Sequence, residues 1–259
     1  MKRNIKNLIG FQMKETDGEI GVVEEFYFDD LSWTIRYLIV KTGNWLSGRK
    51  VLISPKVLQQ PDWENNEFPV NLTKAQIENS PDIDTDKPVN RQQEEMLSSY
   101  YPWEMYWGNS PDEHGAGIFG AMPSELYESE APKPEATNYE NPQTGDKHLR
   151  STEEVKGYTI HATNGEIGKV IDYIFDDQNW KIKYLVLDTG NWLNRSKVLV
   201  STNLIKQVNW ENSVVVVKVS TDAVKNSPEY DESQEIDEAY ENHLSDYYGI
   251  TQKESEEIN

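Results

Sequence analysis

The chain has 259 residues, enough for two domains of ordinary size that each bury a core. Its 25 basic against 45 acidic side chains leave a net charge of −20, a field that argues against direct nucleic-acid binding and would steer a basic protein inward. The absence of cysteine excludes disulfides, zinc–thiolate sites, iron–sulfur clusters and thiol nucleophiles, and suits a reducing cytoplasm.

The start, Met1-Lys2-Arg3-Asn4-Ile5, is basic but lacks the unbroken apolar run of a secretory signal. No apolar run is long enough to span a bilayer. Laying Gly10 to Tyr101 over Gly157 to Tyr248, an offset of 147, needs no gap, and 37 of the 92 paired positions are identical. The chain is therefore two copies of one module.

In the first copy Ile5 to Lys14 reads as an opening strand, and Asp17-Gly18, matched by Asn164-Gly165, as a hairpin turn. The next strand places Ile20, Val22, Phe26 and Phe28 on one face, interrupted by Glu24, and its copy places Ile167, Ile171, Tyr173 and Phe175 at the matching parity. Asp29-Asp30 and Asp176-Asp177 close that strand as turn formers. Trp33 to Leu46, repeated as Trp180 to Leu193, starts with one polar face and ends apolar on both, so it runs from a surface into a core. Gly43-Asn44, a pair that tolerates positive φ, then turns the chain toward Lys50 to Ile53. A further pair of strands flanks the turn at Trp63-Glu64-Asn65-Asn66.

Short strands with turns every ten residues or so predict a mainly β fold of two tandem small antiparallel β-barrels, since closure removes exposed edges. Each barrel is followed by helix: Thr73 caps a short one, and Ile236, Tyr240, Leu244 and Tyr247 form an apolar stripe on a longer one. The predicted organisation is a first module with a helical aromatic extension at 1–108, a Pro/Gly/acidic linker at 109–150, a second module at 151–250 and an acidic tail at 251–259.

Gly10…Asp17-Gly18-Glu19-Ile20-Gly21, Phe28-Asp29-Asp30, Arg36-Tyr37-Leu38-Ile39-Val40…Thr42-Gly43 and Val51-Leu52-Ile53-Ser54 together resemble the PRC-barrel family. Gly157…Asn164-Gly165-Glu166-Ile167-Gly168, Phe175-Asp176-Asp177, Tyr184-Leu185-Val186-Leu187 and Val198-Leu199-Val200-Ser201 repeat the resemblance. It implies barrels used for docking, as in the cytoplasmic domain of the H polypeptide of the photosynthetic reaction centre and the C-terminal domain of the ribosome-maturation factor RimM. The chain departs from both: it shows neither a membrane helix nor an additional N-terminal barrel of another type.

No chemistry stands out. His114, His148, His161 and His243 share no ligand spacing, and no serine sits in a Gly-x-Ser-x-Gly elbow. Six of the eight tryptophans repeat with the fold and read as packing, whereas Trp103 and Trp107 do not repeat. Trp103, Tyr106 and Trp107 are thus the candidate partner contacts. The expectation is a cytoplasmic, non-catalytic binding or assembly module without cofactor or metal, which self-associates or docks on a protein partner. Two alternatives stand beside it: an accessory factor at the periphery of a membrane electron-transfer complex, and an enzyme with a carboxylate site between the modules.

Overall fold

The computed structural model describes residues 1–15, 18–81, 91–101, 148–190 and 197–250. The first repeat contains β1 (Lys2–Asn4), β2 (Gln12–Glu15), β3 (Gly18–Asp29), β4 (Thr34–Thr42), β5 (Lys50–Ile53), β6 (Glu67–Pro69), α1 (Lys74–Glu78) and α2 (Arg91–Tyr100). The second contains β7 (Leu149–Ser151), α3 (Thr152–Val155), β8 (Thr159–Ala162), β9 (Gly165–Asp176), β10 (Lys181–Asp188), β11 (Lys197–Ser201), β12 (Ile205–Asn209), β13 (Val214–Val217), α4 (Thr221–Lys225) and α5 (Glu238–Tyr248). The protein is mainly β, with two barrel modules each followed by helix. By contacts the chain divides into one unit of Met1–Asn79 with Lys147–Asn259, which holds both barrels, and a second of Ser80–Asp146. In the second unit, α2 ends with the Tyr100 and Tyr101 rings edge to face at 4.8 Å.

Burial follows the predicted pattern along β4 and β10: Arg36 and Lys183 are half-exposed, whereas Tyr37 to Val40 and Tyr184 to Leu187 are buried on both faces. The long strand before each departs from simple alternation. A bulge between Val23 and Glu25 shifts the register, so Ile20, Val23, Phe26 and Phe28 are buried and Val22 is not. In the second copy the same shift buries Val170 where alternation predicted Ile171. The bulged strand bends there, as a small barrel requires.

Three further expectations are corrected. The opening strand begins only at Gln12, because Ile5–Leu8 winds into a 3-10 turn that buries Ile5 and Leu8, and Gly10 at φ +87° then breaks the extended run. Gly43 keeps a negative φ, and the reversal is made by a 3-10 turn at Asn44–Leu46 with Ser47 and Gly48 left-handed. The ladders are not wholly antiparallel, since β6 pairs parallel with β2 and β13 parallel with β8. In each case the later strand returns through a long connection, which a parallel pair needs. The hydrogen-bonded path also runs open, from β12 through β13, β8, β9, β10, β4, β3 and β2 to β6.

Helix α5 covers its own module. Asp237 caps it by accepting from the Tyr240 N–H at 2.8 Å, and Gly249 ends it at φ +66°. Leu244 and Ile236 pack with Ile174, Tyr184, Val186, Leu199 and Tyr230, and Tyr240 and Tyr248 border the cluster. Burying a side chain like Leu244 contributes about 2 kcal/mol. Tyr247, predicted in the stripe, is exposed, and its hydroxyl donates to the Ala223 carbonyl at 2.7 Å.

Candidate functional site at the barrel junction

The two barrels meet at the residues that open β4 and β10. Trp33 and Trp180 hold φ of +57° and +58°, a left-handed conformation that bulky side chains rarely adopt. Each is fixed by its own turn. The Trp33 N–H donates to the Asp29 carbonyl and the Trp180 N–H to that of Asp176, both at 2.8 Å. Their rings stack on Phe28 and Phe175 at 5.1 and 5.3 Å. The two carbonyls then accept across the junction, Trp33 from the Ile182 N–H at 2.7 Å and Trp180 from the Ile35 N–H at 2.8 Å, with Thr34 opposite Lys181. The pair is reciprocal, as a two-fold relation between equivalent modules requires.

The same reciprocity governs the strands at the start of each repeat. The 12-residue β3 pairs with its own β2 along Gly18–Val22, but Tyr27–Asp29 pairs with β7 of the second repeat. Correspondingly, β1 of the first repeat pairs with Ile174–Asp176 of β9. Each module thus lends its first strand to the other. The exchange covers the parts of β3 and β9 that lie beyond β2 and β8, while the ends of the path, β12 and β6, gain no partner from it.

Side chains lock the exchange. Arg3 lies over Trp63 of its own repeat, 3.7 Å from the ring centre, and its Nε donates to Asp177 of the other at 3.0 Å. Arg150 lies over Trp210 at 4.1 Å, with Nε 3.6 Å from Asp30. Asn4 donates to the buried Asp172 at 2.8 Å and accepts from the Tyr230 hydroxyl at 3.1 Å. Ser151, its counterpart, donates to Glu25. Burial raises the pKa of Asp172 and Glu25, opposed by the hydrogen bonds from Asn4 and Ser151 respectively. Burial also raises Asp30, opposed by His148, whose Nδ1 is 2.9 Å away, and by Arg150. Tyr230 is pushed up to about 12 by burial.

A cleft of about 720 Å³ opens at this junction. It is lined by Asp30, Ser32, Trp33 and His148 together with Lys181, Lys206, Trp210 and Lys218. Asp30 and His148 form a carboxylate–imidazole pair, but the buried Ser32 Oγ has no hydrogen-bond partner among the described residues. The pair has the form of a base and its orienting group. Among the described residues no three His, Asp or Glu cluster where they could hold a metal ion.

The Asp-Asp pairs do act as turn formers, because Asp29 accepts from the Ser32 N–H and Asp176 from the Gln178 N–H. Their second members, Asp30 and Asp177, bind the exchanged arginines, a role that residue spacing alone did not reveal. A signal was present: Arg3 and Arg150 lie 147 apart, just outside the compared window. Of the repeated tryptophans, Trp33, Trp63, Trp180 and Trp210 pack as described, and Trp45 donates to the Ile20 carbonyl at 2.8 Å. Trp192, His114 and the candidate contacts Trp103, Tyr106 and Trp107 lie outside the described residues. His161 and His243 are exposed and do not line the cleft.

The family model of the PRC-barrel domain matches residues 2–77 and again residues 149–224. The chain belongs to the PRC-barrel family. Both matches start at the exchanged strands, so β1 and β7 are integral parts of PRC-barrel modules. PRC-barrel domains are generally non-enzymatic and often mediate protein interaction and assembly. No curated protein matches the chain. No helix among the described residues is long and apolar enough to cross a membrane.

Proposed function

We propose that this tandem PRC-barrel protein is a non-catalytic assembly module that presents two strand-exchanged barrels as one docking body to a protein partner. The reciprocal exchange of β1 and β7 supports this reading, because it couples both barrels through backbone hydrogen bonds. A net charge of −20 favours encounter with a basic partner surface and sets its salt dependence. The non-repeating aromatics Trp103, Tyr106 and Trp107 are the proposed contacts. Lack of cysteine supports a cytoplasmic setting.

Affinity capture of the tagged chain from its native cells at two salt concentrations, alongside a Trp103→Ala/Trp107→Ala variant, tests the reading. A basic protein captured by the native chain, weakened by salt and lost in the variant supports it. Capture of nothing but the chain itself, unaffected by either change, counts against an external partner.

A further inference from the structure

The junction cleft runs against the charge of the molecule. Three lysines, Lys181, Lys206 and Lys218, line it against one carboxylate, Asp30, which is already engaged by His148 and Arg150. None of the three lysines has an ion-pair partner among the described residues, although the chain carries 45 acidic side chains. Lys206 and Lys218 are exposed, and Lys181 is half-buried, its pKa lowered by that burial and by the neighbouring Lys183.

The repeat supplies an internal control. The positions equivalent to Lys181, Lys206 and Lys218 in the first copy are Thr34, Gln59 and Asn71, and the one lysine of that face, Lys56, stands where the cleft has Asn203. The first copy belongs to the same PRC-barrel family without them, so the fold does not require these charges. Like charges gathered around one concavity cost free energy by mutual repulsion, and a bound anion reverses that sign.

We propose that the cleft binds a compact, multivalent phosphate-type anion through the ammonium groups of Lys181, Lys206 and Lys218. Lysine is a point charge with rotatable donors, suited to phosphate oxygens, whereas a planar carboxylate is better matched by the arginine fork. The backbone places the groups together: β12 and β13 are adjacent, and the Lys218 N–H donates to the Leu204 carbonyl at 2.9 Å. His148 and Asn203 also line the cleft. A compact ligand is favoured over an extended polyanion because screening within about 8 Å lets the local lysines dominate, while a long polymer would meet the rest of the acidic surface.

Calorimetric titration of the full chain with inorganic tripolyphosphate, with citrate and polyglutamate as parallel arms, decides the matter. The expected result is one tripolyphosphate site per chain, weakened about tenfold or more by each of Lys181→Thr, Lys206→Gln and Lys218→Asn, the residues of the other repeat. Thermal melting of each variant confirms that it folds. No binding at low salt, binding unchanged in the folded variants, or tighter binding of citrate or polyglutamate would overturn the proposal.

Discussion

Arg3 in the first repeat and Asp177 in the second are joined at 3.0 Å while the guanidinium covers Trp63 at 3.7 Å, and Arg150 repeats the arrangement with Asp30 and Trp210. The planar cation stacks its flat face on the ring while an N–H on its edge meets the carboxylate, a geometry that the compact ammonium matches less well. Replacing either arginine by alanine should therefore cost roughly 1–2 kcal/mol, and replacement by lysine should recover less than half of it. Urea unfolding of the four variants checks this. Full rescue by lysine would show that charge alone suffices.

Exchange also predicts where damage is felt. Removing Met1–Asn4 should accelerate amide exchange at Ile174–Asp176 of the second repeat, the segment that β1 covers, and leave Gly18–Val22 of the first protected. Hydrogen exchange with mass spectrometry resolves the two segments. Faster exchange confined to the first repeat would contradict the observed pairing.

Glycine matters most where two backbones touch. A Cβ on Gly21 would fall 2.1 Å from the Lys41 carbonyl oxygen, and one on Gly168 2.2 Å from that of Asp188. Alanine at either position must displace the neighbouring strand, at about 3 kcal/mol or more. At Gly10 the added methyl meets nothing within 4 Å, and only its φ of +87° resists, so Gly10→Ala should cost about 1 kcal/mol. Equal losses at Gly10 and Gly21 in chemical denaturation would refute the close-approach argument.

Asp172 gives a pH dependence of definite sign. Burial raises its pKa in the folded chain above the value of 3.8, so the folded state holds this proton more tightly than the unfolded one. Its contribution is then most favourable at low pH and is lost as pH rises through the raised pKa. Asp172→Asn should accordingly gain stability relative to the native chain as pH increases from about 4 to about 7. Thermal melts across that range measure the difference. A difference that shrinks with rising pH would mean that the bonds from Asn4 and Lys6 outweigh burial.

Much of this was legible in the chain. The offset of 147, the Asp-Asp turns and the passage of β4 and β10 from half-exposed to buried follow from residue types and their spacing, because turns and burial are set over a few residues. The bulges were hidden, since a one-residue shift in register leaves composition unchanged. The candidate contacts Trp103, Tyr106 and Trp107 stood out by their failure to repeat, and they lie outside the described residues.

What the sequence by itself determined is two copies of one β module carrying a strongly acidic charge. Only the tertiary structure decided that Lys2–Asn4 and Leu149–Ser151 cross between them, because a three-residue strand carries no local mark of its partner and its pairing depends on which edge stands open. The pairing of β12 with β13 likewise gathered Lys181, Lys206 and Lys218 around one cleft. Their proximity is a property of the fold.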